Sequence, residues 1–278
     1  KKKKPKNGED LSILALSKWS KGTQQRRHMR IALYSFLNYV VQREDFPSKW
    51  LPPLVSDDEV VTKTKRIGYP LSDSQIIRLV DSIKNPKWRF AIQLMATYGL
   101  RPEDLKHLHT RNNGKELWSD YRKSKGGKKG ETTEPRQLFP LFVQDIDGTP
   151  INWNLKERIH IKEELPPLND ANSVGQAVGR FLRDKKVWQQ LKEEALAERQ
   201  QCVPYSFRHR YSYVGHNRQK EDGTYRAPKQ ISDAMGHSLD VHLASYARFM
   251  TKELASEVSQ IHSTLKLGLI DLAIPSLR

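Results

Sequence analysis

Four short blocks of this sequence carry the side chains best suited to chemistry. Gly99-Leu100-Arg101-Pro102-Glu103-Asp104-Leu105 and Tyr205-Ser206-Phe207-Arg208-His209 each present an arginine. Met235-Gly236-His237-Ser238 presents a histidine behind a glycine, and Tyr246 stands nine residues beyond that histidine. A guanidinium keeps its charge throughout the pH range of folded proteins, and its fork of N–H donors can hold two oxygens of one anion. A phenol has a pKa of about 10 and is expected to ionise more readily in strongly positive surroundings. Each residue alone has an ordinary explanation: a helix-junction arginine, a histidine at a helix C-terminus, a core tyrosine. It is their joint occurrence, in order, that points to oxyanion chemistry.

The composition agrees. The 278 residues hold 48 Lys+Arg against 32 Asp+Glu, a net charge of +16, and this favours a polyanionic partner, above all nucleic acid. The hydrophobic share of 37% is that of a folded chain. A single cysteine, Cys202, excludes an internal disulfide and the thiolate-rich zinc modules. Asp145-Ile146-Asp147 runs into Gly148-Thr149-Pro150 and reads as a turn rather than a metal pair, and His107 and His109 lack partners at metal-site spacing. No P-loop or Gly-rich dinucleotide turn is present, and no apolar run reaches the roughly 20 residues that cross a bilayer. The chain begins at Lys1 rather than Met, so its N-terminal portion is expected to be incomplete.

The elements that must position these blocks are legible in part. Residues 23–43 read as an amphipathic helix with Met29, Leu33, Phe36, Leu37 and Val40 on one face and Arg26, Arg27 and Arg30 near its start, placed to meet phosphates. Pro47 to Tyr69 lacks a period and reads as a linker, which divides the chain into 1–65 and 66–278. Ser72 and Gln75 form a capping box with Leu71 and Ile76 as its staple, and Ile76, Leu79, Val80 and Ile83 carry the apolar face onward. A second helix follows Pro86 and stops at Gly99; Pro102 opens a third, which pins Arg101 in the corner between them. Leu117–Tyr121 and Arg136–Phe142 read as strands around the Lys/Gly-rich turn 123–130. Helices are expected over 171–185, 187–200, 207–214, 228–235, 241–249 and 253–265, the last leading into an apolar tail, Leu267 to Leu277.

Taken together, the four blocks resemble the two arginine boxes, the Gly-His element and the nucleophilic tyrosine of the tyrosine recombinase (phage integrase) family, over roughly residues 71–250. The resemblance implies a mainly α-helical catalytic domain with a small antiparallel β-sheet in 66–278, and a short helical DNA-binding unit in 1–65. It implies a site-specific recombinase that cleaves and rejoins double-stranded DNA through a phosphotyrosine at Tyr246, without metal, ATP or other cofactor. Arg101, Arg208 and His237 would stabilise the phosphate, and Asp104 and His209 would support them. A lysine of the hairpin turn would protonate the leaving oxygen; Lys125 is the best match, with Lys123 as the second candidate, and Lys128 and Lys129 would contact DNA.

The resemblance further implies a homotetramer on DNA, monomeric when free, in a bacterial, nucleoid-associated cytoplasmic setting. The segment from Glu253 would dock on a neighbouring copy or fold back on its own domain. Two departures stand out. Tyr205 occupies a position where most of the family has histidine, as in a cyanobacterial subgroup that excises developmental elements; the resemblance makes it a catalytic residue that can hydrogen-bond to a phosphate oxygen or relay a proton, though it is a poorer base near neutral pH. Asn217 to Ala227 is an extra polar loop. A type IB topoisomerase and an inactive DNA-binding relative are the alternative activities.

Overall fold

The computed structural model describes residues 4–53, 67–123, 132–169 and 173–250. The chain divides into two compact units, Lys1–Lys65 and Arg66–Arg278.

In the first unit α1 (Gly8–Leu16) is capped by the Asn7 side chain and α2 (Gln24–Arg43) by that of Thr23. Only Leu37 and Val40 of the expected apolar face of α2 are buried; Phe36 is 58% exposed. Arg26 donates to the carbonyls of Leu16 and Trp19, so it fastens the end of α1 as well as standing near the start of α2. The sequence reading missed α1.

The second unit is mainly helical with one three-stranded antiparallel sheet. α3 (Asp73–Ser82) opens on the expected capping box, with both the Ser72 and the Gln75 bonds formed. α4 (Pro86–Tyr98) is buried from Phe90 to Tyr98 on every side, as befits a helix at the centre of its domain. It stops at Gly99, whose φ of 59° is left-handed and whose hydrogen faces the Tyr211 ring; a Cβ there would lie 2.4 Å from it. The expected third helix is a 3-10 helix, Pro102–His107.

The sheet then runs β1 (Leu108–Arg111), β2 (Glu116–Ser119) and β3 (Arg136–Leu138) in sequence order, with Leu117 opposite both Thr110 and Leu138. β1 had no signal, because Leu-His-Thr-Arg is a polar edge strand. β3 is only three residues long: Leu141 N–H turns away to the Thr97 carbonyl at the end of α4.

Short α5 (Leu155–His160) precedes α6 (Val174–Arg183) and α7 (Lys186–Ala197). α8 (Ser206–Asn217) is followed by the expected polar loop, then by α9 (Pro228–Met235), α10 (Leu239–Tyr246) and a 3-10 turn, Ala247–Phe249. The end of the expected linker, Gly68, bridges to Gln201 and belongs to this unit. Two apolar clusters form its core. The larger joins α3, α4, the sheet and α6–α7; the smaller gathers Leu141, Tyr211, Val214, Ile231, Ala234, Met235, Tyr246 and Phe249. α8 spans the two, giving Phe207 to one and Tyr211 to the other. Among the described residues no helix is long and apolar enough to cross a membrane.

Candidate active site

Three arginines from three different elements meet where the two clusters adjoin. Arg101 stands at the corner after α4, Arg136 on β3 and Arg208 on α8; all are buried. Two helix C-termini hold them. Arg208 donates through Nη1 to the Gly99 carbonyl at 2.8 Å and through Nη2 to that of Met235; Arg101 Nη2 donates to the Gly236 carbonyl at 2.8 Å. Helices α4 and α9 end at left-handed glycines there, so the negative ends of both helices point at the guanidiniums. Gly236 is required for space as well: a Cβ would come within 2.7 Å of Arg136 Cδ.

One carboxylate serves the group. Asp104 accepts from Arg136 Nη2 at 2.8 Å, from Ser119 Oγ at 2.7 Å and from the Arg101 backbone N–H at 2.8 Å. Burial works to raise its pKa, yet Arg136 and these hydrogen bonds win and hold it below the usual carboxylate range. Asp104 orients Arg136 and the Arg101 corner rather than facing open space.

What the arginines leave unspent matters most. Arg101 Nε and Nη1, Arg136 Nη1 and Arg208 Nε are buried without a hydrogen-bond partner, and so is His209 Nδ1. Native interiors rarely leave so many donors idle, and the Arg101 pKa is lowered by burial and by its neighbours Arg208 and Arg136. The arrangement suits an oxyanion, which would engage the free N–H groups and relieve the repulsion together.

Tyr246 ends α10 and is 4% exposed. Its ring stacks on His237 at 5.6 Å and 16° and lies 5.7 Å from His209 and 5.1 Å from His242. The sequence reading expected the positive surroundings to help the phenol ionise. Burial outweighs them: the Tyr246 pKa is raised even though Arg208 and Arg101 pull it down. Tyr205 precedes the first turn of α8, half-buried, with its ring edge-on to His209 at 5.8 Å and 6.0 Å from the Arg208 guanidinium. Burial, with Arg248 and Arg208, pushes the His209 pKa down to about 4.

His237 does not offer a free N–H. Its Nδ1 lies 3.2 Å from Arg208 Nη2 and its Nε2 2.9 Å from His242 Nδ1. Burial, followed by Arg208, pushes its pKa down to about 2, so it is neutral.

The structure thus brings together Arg101, Asp104, Tyr205, Arg208, His209, His237 and Tyr246. It adds Arg136, Ser119 and His242, which the sequence reading missed. Arg136 had one usable signal, an arginine in a short strand beside the lysine-rich turn. Lys123 lies at the neck of that hairpin, exchanging bonds with Thr133. Lys125, Lys128 and Lys129 fall outside the described residues, as does the segment from Glu253. Arg26, Arg27 and Arg30 belong to the other unit. Among the described residues no group of three or more His, Cys, Asp or Glu could hold a metal.

No family model and no curated protein matches the chain. Among solved structures it is similar to the Tn1549 transposon integrase in complex with circular intermediate DNA, at 18% identity over 91% of this chain and 84% of that one, TM-score 0.48. It is similar also to a XerA recombinase, at 15% identity over 94% and 85%, TM-score 0.39. A lambda integrase dimer bound to a COC′ core site is a third, at 12% identity over 87% and 81%, TM-score 0.43.

Proposed function

We propose that this chain is a site-specific DNA recombinase that cleaves and rejoins double-stranded DNA through a covalent bond to Tyr246. The observation that carries the reading is the cluster of partnerless guanidinium N–H groups on Arg101, Arg136 and Arg208 beside a buried phenol. A scissile phosphate seated on those donors would have its transition-state charge stabilised without metal or nucleotide.

In the proposed step the Tyr246 oxygen attacks phosphorus and loses its proton, and the bond to the 5′-oxygen breaks. A 3′-phosphotyrosine remains, and the released oxygen takes a proton from Lys125 or Lys123. Attack by a 5′-hydroxyl reverses the sequence and rejoins DNA with no loss of bond energy. In this reading the Tyr246 phenol, whose pKa burial raises, gives up its proton as it attacks, and the half-buried Tyr205 hydroxyl relays that proton to solvent. Asp104 and His209 support the arginines. The lysine-rich turn, with Lys128 and Lys129, and α2, with Arg26, Arg27 and Arg30, would contact DNA. Exchange would use four protomers on two DNA sites, the segment from Glu253 docking between copies.

One observation favours a second reading. A nucleophile that is buried and hard to ionise, next to Tyr205 in place of a stronger base, also suits a relative that binds DNA without cutting it. A suicide DNA substrate separates the two. The wild-type chain should form a covalent adduct absent from Tyr246→Phe, and sequencing the trapped DNA would report the site. No adduct on any DNA recovered with the protein would sink the enzymatic reading. Relaxation of supercoils by a monomer, with no exchange between two sites, would point to a topoisomerase.

A further inference from the structure

Behind His237 lies a row of three imidazoles. His237 Nε2 is 2.9 Å from His242 Nδ1, and His242 Nε2 is 2.8 Å from His216 Nε2. The residues come from the end of α9, from α10 and from α8, and His242 and His216 are fully buried. The rings are 5.1 Å apart at each step. Neither His242 nor His216 has a part in the chemistry proposed above.

The direction of this row is fixed at one end. Arg208 is always charged and is a donor only, so the His237 Nδ1 that faces it must be the acceptor. The His237 proton then sits on Nε2 and is donated to His242 Nδ1. His242 in turn carries its proton on Nε2 and donates to His216 Nε2, which leaves the His216 proton on Nδ1, a buried N–H with no acceptor at the far end of the row. The reverse assignment would set a ring N–H against the guanidinium. For an imidazole, the bond made by one nitrogen decides the role of the other.

We propose that His242, backed by His216, is a positioning residue: it accepts the hydrogen bond from His237 Nε2–H and thereby holds the His237 Nδ1 lone pair against Arg208 Nη2, which keeps the guanidinium in the orientation that leaves its Nε free for the phosphate. The proposal rests on the reading of the site given above. Without His242 the His237 ring has no acceptor for its second nitrogen and is free to turn over, which would release one hold on Arg208. Burial, followed by His216 and Arg208, pushes the His242 pKa down to about 4, and burial does the same for His216, so the row stays neutral at pH 7.

The test has two arms. Long-range proton–nitrogen NMR on the histidine-labelled chain at pH 7 should show His237 and His242 protonated on Nε2 and His216 on Nδ1. A His237 protonated on Nδ1, or charged, would overturn the proposal whether or not the chain cleaves DNA. In the second arm, His242→Phe keeps a ring but offers no acceptor, whereas His242→Gln offers both a carbonyl for His237 and an N–H for His216. Adduct formation on the suicide substrate, measured below the melting temperature of each variant, should fall about 10- to 100-fold in His242→Phe with unchanged DNA affinity, and return to within about threefold of wild type in His242→Gln. Equal rates in both variants, whether at the wild-type level or equally slow in folded protein, would refute the positioning role. A wild-type chain that forms no adduct would count against the proposed function, while the tautomer pattern would still be read.

Discussion

Two arginines on one helix, Arg208 and Arg210, are equally buried and spend their donors differently. Arg210 donates from Nε and Nη2 to Asp73, from Nη1 to the Ala96 and Leu141 carbonyls, and from Nη2 also to that of Phe142. Every N–H has an acceptor, and a carboxylate, itself braced by Arg218, balances the charge. Arg208 meets only neutral acceptors and leaves Nε idle. The first is a clamp that ties α8 to α3, α4 and the segment after β3. The second is a cation held ready. Burial of an arginine is thus no guide to its purpose; the inventory of its donors is.

That contrast can be broken by experiment. The largest expected effect is in Arg208→Lys, which keeps the charge but loses the fork: cleavage by the folded variant should drop by about 10²–10³-fold while DNA affinity holds. A variant that cuts at the wild-type rate would place Arg208 with Arg210 as a structural residue. Next comes Arg210→Met, which should cost about 3 kcal/mol of stability in a denaturant titration, because the Ala96 and Leu141 carbonyls lose their donor and Asp73 is left with one of its two arginines, Arg218. If stability is unchanged, the clamp is not one.

A pH series sharpens the same division. His209, His216 and His242 are pushed down to about 4 and His237 to about 2, all mainly by burial. An unfolded histidine titrates near 6.5, so the unfolded chain takes up protons first as pH falls. Stability from these four groups is therefore complete above about pH 6.5 and is lost as pH drops towards 4. Asp73 and Asp104, both lowered, add their loss only below about pH 4. The melting temperature should decline between pH 6.5 and 4.5; a flat profile there would mean that the imidazoles are not buried as described. The smallest effect is expected in Ser119→Ala, which removes one hydrogen bond from Asp104 and should cost about 1 kcal/mol, measurable by calorimetry.

Much of this could be read from the chain beforehand. The capping box at Ser72, the stop at Gly99, the corner at Arg101 and the span of α9 follow from local chemistry that neighbouring residues declare to one another. The mainly helical architecture with its small sheet was what the family resemblance implied. β1 and α5 were not, because a polar edge strand and a helix of under two turns carry no period. Arg136 and the imidazole row escaped for a different reason. Arg136 meets Asp104 from 32 positions away and His216 meets His242 across 26, and no pattern along a sequence announces such pairings. For Tyr246 the pull of the arginines was legible and the opposing burial was not, because charge is visible in a sequence while burial is not.

Gly99 and Gly236 have a consequence beyond the turns they permit. A guanidinium tied to a carboxylate is, seen from a distance, a dipole; tied to peptide oxygens it remains a monopole. Among the described residues one aspartate stands with Arg101, Arg136 and Arg208, so two of the three positive charges there stay uncancelled, and they are felt out to a screening length of about 8 Å in physiological salt.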